Sequence, residues 1–398
     1  MHKESKKILI INAGSSSIKW SLFDDKFSVE ANGICEKIKL PEGIVTLKFN
    51  GKVYEDKLKL SDFFAATKKM VEQWKEHNVI KNFDEISHVA YRIVNGGPKL
   101  RETVEVTDKT IKYLQEAIDL APVHNPGALE AIEAFESLFS KAKHTLHFDT
   151  SFHATLPKLA YTYPLNAKLC EELNLRKYGF HGLNYQYVTQ RMQEILGKKS
   201  VNLVILHIGN GASLCAVQNS KSIETSMGFT PLTGIMMGTR TGDFDPSLIP
   251  YIMKHKNLTI DEVMDIVNKK SGLYGVSKLT SDFRELNIKI SEDNEDAKFA
   301  FELYCTKISE YLINYLNKIE GKIDALVFTA GVGENQENLR TKVIEKIKLI
   351  NLKIDEEKNQ NAPRGKETLI SSKDSLIPIY IIPANEELLI AKEANKFK

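Results

Sequence analysis

Three consecutive hydroxyls and a lysine share one short turn of this chain, "NAGSSSIK" at residues 12–19. Three further stretches, "GFHG" (179–182), "HIGNGAS" (207–213) and "TAGVGEN" (329–335), place glycine beside imidazole, amide or hydroxyl groups. Each reads as a strand ending in a small polar turn. Main-chain N–H groups on such turns can point at phosphate oxygens, because glycine lets a ligand approach the backbone. A plain hairpin or strand–helix connection accounts for any one of them singly. Their repetition at equivalent places in two halves is what points to an anion cradle. No GxxxxGK[ST] occurs and no GxGxxG opens a strand–helix unit, so these are neither Walker-type nor dinucleotide-binding loops.

Several charged residues stand where plain structure does not ask for them. Arg92 interrupts the apolar run "VAYRIV". A buried arginine is costly unless paired, and its planar fork suits carboxylate or phosphate. An internal ion pair with a nearby acid explains it equally well. Arg240 lies in "MMGTRTGDFDP", where the plain reading is an arginine that braces its own loop. Asp149 at a strand end and His181 in "YGFHG" read, singly, as hydrogen-bonded structural groups. Glu386 complements a helix dipole after the cap residue Asn385.

The elements that position these residues follow from periodicity. Residues 8–11 and the alternation Ile18, Trp20, Leu22 predict a hairpin. Asn50-Gly51 predicts a second, with a tight primed turn. Phe63, Phe64, Met70, Val71 and Trp74 are expected on one helix face, and Asn125-Pro126 as the cap and first turn of another helix. "EISHVAYRIVNGG", "KHTLHFDTSFH" and "KIDALVFTAGVGEN" read as strands running into turns or loops. At Val201 the opening layout restarts as strand, Asn-Gly turn and alternating strand, a weak internal repeat. A long helix over about 295–320 ends at Gly321, and a last strand and Asn385-capped helix close the chain. Junctions are expected near Asp149–Ser151 and Pro383, with the last helix packing back on the first half.

The bulk numbers exclude other classes. The 398 residues are 42% hydrophobic and 27% charged with a net charge of +2, which predicts two or three globular domains and no nucleic-acid partner. Cys35, Cys170, Cys215 and Cys305 are widely spaced, as buried thiols of a reducing compartment are, with no disulfide frame or zinc site. No apolar stretch reaches membrane length and the N-terminal run is too short for a signal segment, so a soluble intracellular protein is expected.

Taken together, "NAGSSSIK", "LAPVHNPG", "FDTSFH", "YGFHG", "HIGNGAS", "MGFTPLTGIMMGTRTGDFDP", "SDFRE", "AGVGEN" and "PANEE" closely resemble the acetate kinase family, in family order over nearly the whole chain. The resemblance implies an α/β protein of two ribonuclease-H-like domains, the actin-like ATPase fold, with the active site in the interdomain cleft. Its implied domains are 1–150 plus 384–398, and 151–383 for the nucleotide. It implies reversible transfer of the ATP γ-phosphoryl to acetate, giving acetyl phosphate and ADP, with Mg²⁺ or Mn²⁺, in a cytoplasmic homodimer. Family roles carried to this numbering put Asn12 and Glu386 at the metal and Lys19 near the nucleotide phosphates. His207, Ile208, Gly209, Asn210 and Gly211 match the second phosphate loop. Asp282, Phe283 and Arg284, with Gly331, Val332, Gly333, Glu334 and Asn335, match the nucleotide segments. Arg92 resembles the carboxylate-binding arginine, and Val94, Val123, Phe180 and Pro231 the pocket for the acetate methyl. Asp149 matches the catalytic acid, and His181 and Arg240 the transition-state stabilisers.

An acetate carboxylate is already ionised at neutral pH. No general base is needed, and Asp149 is expected to orient metal, water or Arg240. Three departures from the family pattern stand out. Tyr91 and Asn95 replace histidines that usually flank the arginine, Val123 replaces a leucine, and Ala384 replaces a threonine. One methylene shifts selectivity by only ~1–3 kcal/mol, so propionate is expected as a poorer substrate. A propionate or butyrate kinase of similar fold, and a chaperone-like or filament-forming ATPase, are the alternatives. Phe180 and Pro231 argue for a small acid.

Overall fold

The structure, a computed structural model, describes residues 6–397. The chain divides into two compact units. One runs through Ala154 and takes back the chain from Asn385, and the other is Thr155–Ala384.

The first unit is built on β1 (Lys7–Ala13), β2 (Ile18–Phe23), β3 (Val29–Glu36), β4 (Gly43–Phe49), β5 (Lys52–Leu58), β6 (Ile86–Ile93), β7 (Val104–Glu105) and β8 (Lys143–Phe148). They form one sheet in the order β5-β4-β3-β2-β1-β6-β8-β7. The strands β1, β6 and β8 are mutually parallel, whereas β1 to β5 meander antiparallel. Asn50 and Gly51 both take positive φ, 51° and 73°, as a primed turn between β4 and β5 requires. Ile8 to Ile11 are wholly buried, because helices cover the sheet where its strands run parallel.

The helix Phe63–Glu76 starts on Asp62, whose side chain accepts from Ala65 N, and buries Phe63, Met70, Val71 and Trp74. Trp74 meets Trp20 of β2 at 4.7 Å between rings. Fully burying such side chains stabilises the unit by roughly 1.5–3 kcal/mol each. Phe64 differs from expectation: it is half exposed, one residue and about 100° around the helix from Phe63. Asn125 also departs from its expected role. The cap of Asn125–Leu138 is His124, and Asn125 turns its buried amide to Asn95 O (2.9 Å) and Ala117 O (3.1 Å). Its amide N–H groups satisfy those two carbonyls, while its oxygen takes no N–H of the helix start.

The second unit repeats the plan with β9 (Leu203–Ile208), β10 (Ala212–Gln218), β11 (Lys221–Thr225), β12 (Ala325–Thr329), β13 (Thr368–Leu369) and β14 (Ile379–Ile381), in the order β11-β10-β9-β12-β14-β13. Three antiparallel strands followed by two parallel ones, β11-β10-β9 then β12-β14, match β3-β2-β1 then β6-β8. This shared order is the repeat that the two strand–polar turn–strand openings signal in sequence.

Two turns are not what the sequence leads one to expect. "AGVGEN" is a short helix, Ala330–Asn335, entered through Ala330 at φ 67°. "GFHG" follows an isolated bridge rather than a strand and opens the helix Gly182–Leu196, with His181 at φ 58°. Left-handed backbone at a non-glycine residue costs about 1–2 kcal/mol and persists where function demands it. The long helix Glu295–Lys318 stops shortly before Gly321 (φ 80°). All four cysteines are free; Cys170 is half-buried and the others are buried. Among the described residues, no helix is long and apolar enough to cross a membrane.

Candidate functional site

In each unit the chemistry collects at the carboxyl ends of the parallel strands, where open α/β sheets bind ligands. In the first unit Asn12 of β1 and Arg92 of β6 are register partners, and Asp149 N continues the ladder by donating to Ile93 O at 2.9 Å. The Arg92 fork is gripped along one edge: Nε donates to Asp149 Oδ1 at 2.9 Å and Nη2 to Asp149 Oδ2 at 2.7 Å. Glu386 Oε2 lies 3.7 Å from Arg92 Nε. It stands in the first turn of the helix Glu386–Ala394, capped by Asn385 and packed on β1 and β6. The Asp149 charge, ahead of Glu386, raises Arg92 above its ordinary value. Burial pushes the Glu386 carboxyl up to about 7, Arg92 pulling it down and Asp149 and Glu387 pushing it further up. Two carboxylates therefore share one guanidinium, and once Glu386 is ionised the cluster carries one negative charge in excess. Nη1 makes no hydrogen bond among the described residues, so a second edge of the fork stays open to a carboxylate.

Beside the strand ends, the first polar turn is held by Gly14 N donating to Ser17 O at 2.8 Å. Ser15 and Lys19 are exposed on it. A Cβ on Gly127 would meet Gly14 O at 2.2 Å, so the turn is seated on the start of the helix Asn125–Leu138. Val94 is half-buried and Val123 63% exposed on the same unit. Where a histidine is usual, Tyr91 donates its hydroxyl to, or accepts from, His144 Nδ1 at 2.8 Å inside the core. Asn95 Oδ1 accepts from Gly97 N to close its turn. Both replacements are structural.

In the second unit His181 and His207 stack at 3.8 Å with planes 10° apart. His181 Nδ1 shares a 2.8 Å bond with Ser213 Oγ, which also meets Tyr185 OH at 2.5 Å. Asn184 Nδ2 donates to His207 Nδ1 at 2.9 Å, which leaves the His207 proton on Nε2. A Cβ on Gly211 would lie 3.4 Å from Arg240 Nη1 and 3.6 Å from His181 Nε2, so both groups converge over the loop 209–211. Ile208 is core, while Asn210 is exposed, its Oδ1 pressed to where a Gly238 side chain would begin. Arg240 donates to Pro231 O at 3.1 Å and to Met237 Sδ at 3.7 Å, and to no carboxylate. Burial lowers its proton affinity. Phe180 is buried and Pro231 half-buried.

The remaining nucleotide segments lie in the same unit. The short helix Ala330–Asn335 follows β12 and carries Gly331, Val332, Gly333, Glu334 and Asn335. Asp282 caps Phe283–Ser291 and grips Arg284 on the surface, which holds its carboxyl down at about 2. Phe283 turns its ring into the core against Tyr304, so only its main chain faces outward chemistry.

Sequence reasoning passed over several supports. Arg340, buried, donates from Nη1 to Gly333 O and Glu334 O, both at 2.9 Å, and from Nε to Asn359 Oδ1 at 2.7 Å. Its place among Leu339, Val343 and Ile344 on a helix face was the available signal. Ser213, Tyr185 and Asn184 carry no such signal, since their partners are brought by the sheet. Among the described residues, no three His, Cys, Asp or Glu side chains gather as a metal cage.

Known proteins share this architecture. The model of the acetokinase family matches residues 7–392. The chain is 48% identical over 391 residues to the acetate kinase of Mycoplasmopsis pulmonis, which covers 98% of this chain and 99% of that protein. The acetate kinase of Bacillus subtilis is 40% identical over 390 residues, 97% of this chain and 98% of its own. The crystal structure of Porphyromonas gingivalis acetate kinase superposes with a TM-score of 0.94 at 37% identity, covering 98% and 99% of the two chains. A propionate kinase from Francisella tularensis gives 0.92 at 34% identity, covering 99% and 100%. Matched from its first strand to its last helix, the chain belongs to the acetokinase family.

Proposed function

We propose that this protein transfers the γ-phosphoryl group of ATP to acetate, reversibly, by direct in-line displacement. An acetate oxygen forms the new P–O bond as the bond to the β-phosphate oxygen breaks, yielding acetyl phosphate and ADP. The observation that carries the reading is Arg240, a half-buried guanidinium converging with His181 over a glycine loop and compensated by no acid. Such a group suits the charge that spreads over the transferring phosphoryl oxygens. Arg92 takes the acceptor: with one edge held by Asp149, its open edge binds the acetate carboxylate, and Val94, Val123, Phe180 and Pro231 contact the methyl. Asp149 thus serves as the anchor of Arg92, not as a base, because the nucleophile needs none. Lys19, the 207–211 loop, Asp282 to Arg284 and Gly331 to Asn335 receive the nucleotide.

Asn12, Asp149 and Glu386 offer only oxygen donors, and their cluster has one negative charge unmatched. That set fits Mg²⁺, or Mn²⁺ in its place, which takes one or two carboxylates and completes its shell with water and phosphate. Asn12 and Glu386 would hold it. When bound, the cation supplies neutralisation of phosphate charge. We carry forward the division at 150/151 and 383/384, a cytoplasmic location and a homodimer as further parts of the proposal; light scattering of the purified protein checks the last.

The test is acyl-phosphate formation from ATP and Mg²⁺, trapped as hydroxamate, with acetate, propionate and butyrate in parallel. The expected result is the highest kcat/KM for acetate. Higher kcat/KM for propionate would favour the second reading, an acyl kinase like the Francisella tularensis neighbour, with exposed Val123 as its cause. ATP hydrolysis without acyl phosphate would overturn both.

A further inference from the structure

The loop that presents Arg240 is tied at its two ends through a single residue. Asp243 N donates to Gly234 O and Gly234 N donates to Asp243 Oδ1, both at 2.8 Å. The other carboxylate oxygen, Oδ2, accepts from Tyr311 OH on the long helix Glu295–Lys318. Within this closure the backbone has no slack. Gly234 and Gly242 take φ 102° and 72°, and a Cβ on either would lie 2.7 Å or less from a main-chain oxygen. Among the described residues, Arg240 itself is steadied only by a neutral carbonyl and a thioether. Neither fixes the direction of a guanidinium as a bidentate acid does. Its aim is therefore set by the loop. Behind that loop lies a cavity of about 470 Å³, bordered by Gly234, Asp243 and Tyr311. Thr239 and Thr241, on either side of Arg240, are bonded to Ser271 N and Val267 O, both at 3.0 Å, so without the Asp243 tie it is the Gly234 end of the loop that has room to shift into the cavity.

We propose that Asp243, locked by Tyr311, is the positioning residue for Arg240, holding the 234–243 loop forward so that the guanidinium meets the transferring phosphoryl group. Both Asp243 oxygens are spent on holding the loop and the long helix together. The inference rests on the reading of Arg240 given above. It reverses the plain reading of the sequence, in which the arginine braces the loop: the aspartate braces it and the arginine is carried.

The test is a double-mutant cycle with steady-state kinetics of the intact enzyme in Mg²⁺, ATP and acetate. Removing Asp243 (Asp243→Ala) is expected to lower kcat about a hundredfold, and Tyr311→Phe about fivefold, with both KM values within about twofold of the parent. In an Arg240→Ala background, Asp243→Ala is expected to cost nothing further, because residues acting as one unit are non-additive. Should Asp243→Ala fail to fold, Tyr311→Phe with and without Arg240→Ala carries the same comparison. Equal fold-losses in both backgrounds, or a rise in KM for ATP alone, would overturn the positioning role. A low kcat for Arg240→Ala with parental kcat in Asp243→Ala and Tyr311→Phe would defeat that role and leave the reading of the site intact. A parental kcat for Arg240→Ala would remove the arginine from the reaction and defeat both.

Discussion

Arg92 and Arg240 are the same residue type set in opposite electrostatic circumstances. Arg92 stands at the end of a parallel strand with a bidentate aspartate on one edge and a glutamate 3.7 Å away. Arg240 rides on a glycine-rich loop with a carbonyl and a sulfur for company. The first is fixed by its partners and faces two acids; the second is carried by its loop and bonds only neutral groups among the described residues. A phosphoryl-transfer enzyme needs both. In the proposed reaction the negative cluster takes the cation and offers one fork edge to the carboxylate, while Arg240 meets charge that appears only during transfer.

The comparison is most exposed to failure at Arg240. Arg240→Met is expected to lower kcat at least ~10³-fold, about 4 kcal/mol, with KM for ATP nearly constant. A rise in KM without a fall in kcat would mean that Arg240 binds ground-state phosphate instead. On the other side, Asp149→Asn removes the excess negative charge. The Mg²⁺ concentration for half-maximal rate should rise about 30-fold, equivalent to about 2 kcal/mol. An unchanged Mg²⁺ requirement would show that the charge of Asp149 serves Arg92 alone.

Stability distinguishes the units as well. Burial pushes His147, in β8 behind Asp149, from 6.5 down to about 3, so it stays neutral in the folded protein. The unfolded chain binds the proton first, and the stabilisation present above pH 6.5 is lost as pH falls toward 3. Between pH 6.5 and 5 the loss is about 2 kcal/mol, and urea titrations of His147→Asn should lack that slope. The smallest effect is expected for Ser213→Ala, which removes the Ser213 bond to His181 Nδ1 and should lower kcat about fivefold, near 1 kcal/mol. If the stack on His207 alone orients the ring, kcat will not change.

What was legible in the sequence follows the range of the interaction. The Asn50-Gly51 turn, the Asn385 cap and the β1–β2 hairpin are decided within a few residues, and local chemistry shows them. The two strand–polar turn–strand openings even betray the doubled fold. Arg92 was suspect in sequence, yet its partner is 57 residues away on a neighbouring strand, and the Asp243–Tyr311 bond spans 68. Nothing local announces such pairs. Asn125 and "AGVGEN" went astray for a related reason: their local signals for a cap and a turn were real, but tertiary carbonyls claimed the one amide and Arg340 holds the other segment as a helix.

The helix Glu386–Ala394 returns to the unit where the chain began. Synthesis proceeds from the amino end, and units that emerge first generally fold first. Here the earliest sheet receives its second carboxylate only after all of Thr155–Ala384 has been made. Until Glu386 has been made, Arg92 and Asp149 stand as a balanced pair, and the second acid reaches them only with the helix Glu386–Ala394.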